Sequence, residues 1–331
     1  MSGTTERIRV VHVIQNMNYG GMERVLASLI EHTDARRFEL HLVVLQFLGR
    51  FAEGLESHAT LHVTPPLGRA SMVWPGPLIA LLKRIGPAVV HAHSGVWWKA
   101  MLASKRAGVP AFVYTEHGRP TPDPRPGRFI DRMASRGTTR VVAVSDALRR
   151  QLVETLGIPP SRLCVIPNGI ELPRTDAVPA AGESIRAELR LPPGTPVLGS
   201  VGRLEHIKGY DVMMEAFGRL VSGWPRAPRP ALVVVGDGVL RSSLERRARE
   251  LGVAGDVHLL GWRDDVARWL AGFDLFTLAS RSEGTSMSLL EAMAAGRCPV
   301  ITDVGGNRAV LGPGLAHRLV PAEDPTALAA G

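Results

Sequence analysis

Cysteine is scarce in this chain: two residues in 331, Cys164 and Cys298. Both lie in apolar, strand-like runs, Leu-Cys-Val-Ile and Arg-Cys-Pro-Val-Ile. That argues against a disulfide framework or a thiolate metal site, and points to two core thiols in a reducing compartment. Aromatic residues make up 5% of the sequence and interleave with no basic run, so the stacking platform of a nucleic-acid binder is missing. No apolar stretch approaches the roughly 20 residues of a membrane span. The segment Met1 to Arg9 is polar and charged, without the apolar centre of an export signal, and a cytoplasmic protein is expected. The G-x-G-x-x-G spacing of a nicotinamide-binding turn is also absent, which counts against a dehydrogenase.

What the chain does have is apolar mass and unevenly placed charge. With 45% hydrophobic side chains over 331 residues, it can bury two cores of ordinary size. The net charge of +8 resides in the first half, where residues 1–170 carry 21 Lys and Arg against 12 Asp and Glu; residues 171–331 carry 18 against 19. A basic half beside a neutral one suits contact with an anionic membrane surface or a phosphorylated acceptor, with plain solubility charge as the alternative.

Short apolar strands alternate with helical patterns. Arg7 to Gln15 reads as a buried strand, followed by a turn ending in Gly20-Gly21 and a helix from Met22 to His32. Such alternation predicts an α/β fold with parallel sheets covered on both faces, whose ligands bind beyond the carboxyl ends of the strands. Those ends carry His91-Ala-His93-Ser94, Glu116-His117-Gly118 and Val144-Ser145-Asp146. His91 and His93 share a strand face, a geometry open to a metal. No third ligand of suitable spacing follows, so hydrogen-bonded histidines and no metal are expected. Around residues 171–184 the composition turns to Pro, Ala, Ser and charge, a linker signature. This sets the expected organisation: a first domain over residues 1–172, a linker over 173–184 and a second domain over 185–331.

In the second half, the strand Pro196 to Gly202 leads into the loop Arg203-Leu-Glu-His-Ile-Lys208-Gly. Two permanent cations between a strand end and a helix start can neutralise a diphosphate without a metal. Further on, Ser282 to Ala295 places two glutamates around a fresh helix start. Thr285 or Ser286 can cap it, and Met287, Leu290, Met293 and Ala294 form its apolar positions. Eight residues of helix rise about 12 Å, so Glu283 and Glu291 stand too far apart to act on one bond as a glycosidase pair does. They suit two hydroxyl-bearing parts of one long ligand, such as a sugar and a ribose joined by a diphosphate. Solvated acids at a helix start are the alternative, and Asp264-Asp265 is read in that plainer way.

Glu283-Gly-x6-Glu291-Ala resembles the E-x7-E motif of the retaining GT-B glycosyltransferases, in particular family 4. The resemblance extends to Thr115-Glu-His117-Gly, to Val165-Ile-Pro-Asn-Gly-Ile170 and to Gly202-Arg-Leu-x-x-x-Lys208-Gly. It implies two Rossmann-like domains with parallel sheets facing across a cleft, and transfer of a sugar from a UDP- or GDP-sugar to a glycan or lipid-linked acceptor. Retention of anomeric configuration and no metal or other cofactor are implied too. On this resemblance Arg203 and Lys208 hold the leaving diphosphate, Glu283 the donor sugar and Glu291 the ribose, while the amides of Gly284, Thr285, Ser286 and Met287 face phosphate or sugar. Gly236, Trp262 and Arg263 border the nucleotide, the Gly20-Gly21 loop lies near the diphosphate, and His117 contacts the donor near its reacting carbon. A GT-B epimerase or a non-catalytic nucleotide-sugar binder are the other classes left open. Family members usually continue past Pro321-x-x-Asp-Pro325 with more helices, so the resemblance implies a second domain truncated at its C-terminal end, either because the sequence is cut or because this member is short.

Overall fold

A computed structural model of the chain describes residues 6–18, 20–119, 125–172 and 181–331. The chain divides into two compact units, Met1–Asn168 and Gly169–Gly331. Residues 173–180 of the expected linker lie outside the described residues, and 181–184 already belong to a helix.

In the first unit, seven strands form one parallel sheet: β1 (Ile8–Ile14), β2 (Phe38–Val44), β3 (Thr60–Val63), β4 (Val89–His93), β5 (Ala111–Glu116), β6 (Arg140–Ala143) and β7 (Leu163–Val165). Their order is β3-β2-β1-β4-β5-β6-β7, so the winding reverses between β1 and β4. The helices are α1 (Gly21–Glu31), α2 (Gly76–Ile85), α3 (Trp97–Ala107), α4 (Arg125–Arg136) and α5 (Asp146–Leu156). Alternation along each strand decides which helix it meets. Val11, Val90, Ala92, Phe112, Tyr114 and Val141 pack with α2, α3 and α5, while Ile14, Leu40, Leu42 and Val44 pack with Leu26 and Ile30 of α1. Residues 120–124, between β5 and α4, lie outside the described ones, and α4 has begun by Arg125.

The second unit repeats the plan with six parallel strands: β8 (Val197–Val201), β9 (Ala231–Val235), β10 (Val257–Leu259), β11 (Leu275–Leu278), β12 (Cys298–Thr302) and β13 (Leu319–Val320). Their order is β10-β9-β8-β11-β12-β13, reversing between β8 and β11. Around them lie α6 (Ala181–Glu188), α7 (Tyr210–Ser222), α8 (Arg241–Glu250), α9 (Val266–Gly272), α10 (Met287–Ala294), α11 (Asn307–Leu311) and α12 (Pro325–Ala330). A strand covered on both faces has no polar side to show, which is why β9 reads Ala-Leu-Val-Val-Val and is buried throughout. Each of its valines contributes about 1.5–3 kcal/mol on burial.

Two expectations need correction. The buried positions of α10 are Leu289 and Ala292, not the methionine stripe; these two join the cluster of Trp269, Phe273 and Ile301. Cys298 is exposed, because it opens β12 one residue before the buried stretch Pro299–Thr302, and Cys164 is only partly buried.

Glycines bring the strand-end loops of the second unit into backbone contact. At Gly209 (φ +64°) an added Cβ would fall 2.0 Å from the Ala279 carbonyl oxygen, and at Gly305 (φ +56°) 1.8 Å from that of Glu283. Gly252 has a similar φ, +69°, but open space around it. Gly252→Ala is therefore expected to cost only the left-handed strain, about 1 kcal/mol, and Gly209→Ala clearly more in urea unfolding. Equal losses would show that the close approach imposes nothing.

Candidate functional site

Loops at the carboxyl edge of the second sheet converge on its winding reversal, where sheets of this kind bind ligands. The loop after β8 carries Arg203 and Lys208; the loop after β11 carries Glu283 and leads into α10. Lys208 Nζ donates to Glu283 Oε1 at 2.7 Å, with side chains 20% and 7% exposed. Ser280 Oγ donates to the same oxygen at 2.7 Å. Arg281 ties the two loops together from below, donating to both carboxylate oxygens of Asp211 at 2.8 and 2.7 Å and to the His206 carbonyl at 2.6 Å. That fork holds the Asp211 carboxyl below its usual range. The loop after β12 is fixed to the same place, since Gly306 N–H donates to the Gly284 carbonyl at 2.8 Å and Thr302 Oγ1 to that of Ser280 at 2.7 Å.

Of the residues expected here, Lys208 and Glu283 are thus in direct contact. Arg203 lies half exposed beside them in sequence and pairs with Glu205 at 3.0 Å. Gly284, Thr285 and Ser286 are buried; Ser286 is the cap, its Oγ accepting from Leu289 N–H at 3.4 Å. Met287 opens α10, and Glu291 stands partly buried on the same helix. The starts of α7 and α10 both face this edge, so the positive ends of two helix dipoles accompany the lysine. At Gly236 (φ +138°) an added Cβ would fall 2.0 Å from the Gly202 carbonyl, and Gly236 N–H donates to the Gly261 carbonyl at 2.9 Å. That close approach and that bond set the backbone before Trp262, whose Nε1 donates to Asp264 at 3.2 Å. Arg263 is committed within the fold, to Asp265 at 3.0 Å and Glu188 at 3.2 Å with its guanidinium over the Trp269 ring. Its hydrogen bond holds Asp265 down at a pKa of about 2.

The first unit offers different chemistry at its own reversal. Gly20 precedes α1, which starts one residue earlier than expected, at Gly21. The turn after β5 presents His117, and a buried carboxylate fixes that turn. Glu116 accepts from Ser94 Oγ at 2.5 Å, Tyr114 OH at 3.0 Å and Arg119 Nη1 at 2.9 Å. Ser94 Oγ in turn accepts from His117 N–H at 2.8 Å. Burial pushes the Glu116 carboxyl up, against the pull of Arg119 and its two hydroxyl donors.

His117 Nε2 lies 3.1 Å from His93 Nδ1, and His93 Nε2 lies 3.4 Å from His12 Nδ1. His91 Nε2 reaches Thr115 Oγ1 at 2.7 Å. Burial lowers all four imidazoles, His91 to about 4 and His117 to about 3, so the rings are neutral at pH 7. A third imidazole does accompany His91 and His93, but it comes from β1, where His12 pairs in register with His91. One histidine in a buried apolar strand gives no sign of this until the strand order is known.

Residues 19–174 match the family described as Glycosyltransferase Family 4, and residues 195–331 that described as Glycosyl transferases group 1. The chain is 26% identical over 329 residues to a UDP-Gal:alpha-D-GlcNAc-diphosphoundecaprenol alpha-1,3-galactosyltransferase of Escherichia coli, covering 94% of this chain and 83% of the relative. To a D-inositol 3-phosphate glycosyltransferase of Thermobispora bispora it is 32% identical over 269 residues, covering 73% of this chain and 60% of the relative. Among solved structures, Anabaena Alr3699/HepE in complex with UDP and glucose superposes with a TM-score of 0.83 at 22% identity, over 98% of this chain and 88% of that one. With its two parallel-sheet units, that likeness makes the fold GT-B.

The buried Lys208–Glu283 pair yields a direct test. Lys208→Met leaves the Glu283 carboxylate with the Ser280 hydroxyl as its side-chain donor among the described residues, and the loss expected in urea unfolding is about 3 kcal/mol. Adding Glu283→Gln to Lys208→Met is expected to restore much of it. Strictly additive losses would mean that the two groups do not interact in solution.

Proposed function

The chain belongs to glycosyltransferase family 4, and from that premise we propose a retaining transfer of a sugar from a nucleoside diphosphate sugar to a glycan or lipid-linked hydroxyl. One observation carries this reading: a cation from the loop after β8 and an acid from the loop after β11 meet at the winding reversal of the second unit. The reaction breaks the bond between the anomeric carbon and a phosphate oxygen, and negative charge grows on the leaving diphosphate. Lys208 and Arg203 neutralise that charge, helped by N–H groups at the starts of α7 and α10; such fixed electrostatics usually supply the largest catalytic term. Glu283 and Ser280 receive the sugar hydroxyls, and Glu291 the ribose. The backbone around Gly236 and Trp262 borders the base, while Arg263 shapes that border from within its ion-pair cluster. His117 keeps the donor contact that the family resemblance implies, and the Gly20-Gly21 turn its place near the diphosphate. No metal is needed at the diphosphate.

The acceptor reading draws on the E. coli relative, whose name specifies a diphosphoundecaprenol-linked substrate. UDP as the donor nucleotide draws on the Anabaena structure. Among the described residues no helix is long and apolar enough to cross a membrane, so reaching a lipid-linked acceptor calls for surface contact. The basic first unit exposes Val73 and Trp74, with Arg106 stacked 5.0 Å over the Trp74 ring.

Each hydrogen bond to a charged group is worth about 1.5–3 kcal/mol, so Arg203→Ala with Lys208→Ala is expected to weaken UDP or GDP binding well beyond tenfold by calorimetry. Unchanged affinity removes both from the diphosphate site. Proton NMR of the product formed from an α-linked UDP-sugar should show an α linkage; a β product refutes retention, and turnover of donor sugar without any acceptor would mark an epimerase. Binding to anionic vesicles should fall with salt and with Trp74→Ala, and salt-independent binding would rule out the electrostatic contact.

A further inference from the structure

Four histidines of the first unit, His12, His91, His93 and His117, form a cluster, of which the proposed function uses only His117. His12, His91 and His93 each offer a ring nitrogen, and the three atoms lie within 4.8 Å of one another. The 3.4 Å between His12 Nδ1 and His93 Nε2 is long for a hydrogen bond. It matches the edge of a tetrahedron of nitrogens about 2.0–2.1 Å from a zinc ion. The outer partners are those of a ligand set. A metal-bound imidazole generally donates its other N–H to a fixed acceptor; His91 has Thr115 Oγ1 at 2.7 Å and His93 has His117 Nε2 at 3.1 Å. His12 and His93 are 4% and 1% exposed, whereas His91 is only partly buried, which leaves a way in for an ion and its fourth ligand.

The geometry points to a transition-metal site formed by His12, His91 and His93 in the first unit, selective for Zn2+ or Co2+. Three nitrogen donors and no carboxylate favour those ions over Mg2+ or Mn2+, which prefer oxygen. The diphosphate cations belong to the second unit. Binding through His93 Nε2 leaves its Nδ1 as an N–H that donates to His117 Nε2. That fixes the proton of neutral His117 on Nδ1, an atom without a hydrogen-bond partner among the described residues. The metal therefore sets the tautomer of the histidine that the functional reading places at the donor; only this last consequence rests on that reading.

The test uses the full, untagged chain after chelator treatment and dialysis. Titration with Co2+ is expected to give the visible bands of tetrahedral, nitrogen-ligated cobalt, and calorimetry one Zn2+ per chain. Neither should be displaced by excess Mg2+. His12→Gln and His93→Gln are each expected to weaken Zn2+ binding at least 100-fold. Thr115→Val, which touches only the outer shell, should cost about tenfold while preserving the circular dichroism spectrum, so the test survives misfolding of the histidine variants. Absence of one-to-one binding in the unaltered chain overturns the assignment, as does binding indifferent to His12→Gln and Thr115→Val. Nucleotide affinity, measured separately, distinguishes failure here from failure of the transferase reading.

Discussion

The ion pair between Lys208 and Glu283 organises the second unit's working edge, and its geometry depends on backbone packing more than on the two side chains. Lysine and glutamate are flexible, and an exposed pair of them contributes little. This pair is mostly withdrawn from water, at 20% and 7% side-chain exposure, because the loops that carry it are held as one piece. Gly209 lies against Ala279 and Gly305 against Glu283 at distances no side chain tolerates, and Arg281 spans both loops. The sheet supplies the rest. Since the winding reverses between the neighbours β8 and β11, α7 and α10 pack into different clusters and the two loops meet at the carboxyl edge of the sheet.

The same topology recurs in the first unit with opposite electrostatics. There the reversal between β1 and β4 gathers neutral imidazoles in place of charges, and the carboxylate nearest to them, Glu116, is consumed by Arg119, Tyr114 and Ser94. Burial explains the difference. An isolated charge in such a place pays a large desolvation cost, whereas a neutral imidazole needs only a partner for each nitrogen. Between His93 and His117 a ring-to-ring hydrogen bond at 3.1 Å meets that need.

Much of this was legible in the sequence. The alternation of strands and helices, the strand β9, the cations Arg203 and Lys208 flanking a strand-to-helix loop, and the glutamates around α10 all follow from local pattern, because each is a property of neighbours in the chain. What escaped is what depends on strand order. His12 meets His91 only because β1 and β4 are adjacent, and Ser280 joins Glu283 only because its loop folds back on itself. The α10 face was misread for a related reason. Met287, Leu290 and Met293 are as apolar as Leu289 and Ala292, and hydrophobicity alone does not say which stripe the sheet covers. Cys298 was placed in the core on the strength of its neighbours, although a strand's first residue can lie outside it.

A phosphate-bearing donor must alter the ion pair, and the alteration has a direction. Lys208 has three N–H donors and gives one to Glu283. An arriving diphosphate presents acceptors of higher charge, so the ammonium turns toward it and releases the carboxylate. Left buried without the lysine, Glu283 would be costly. Hydroxyl groups of a sugar supply what it loses, whereas a nucleoside diphosphate without a sugar does not. On the proposed roles, the lysine thus couples recognition of the leaving group to recognition of the transferred group. Intact donor satisfies both members of the pair, while spent nucleotide satisfies one and leaves the other wanting, a bias toward release of product.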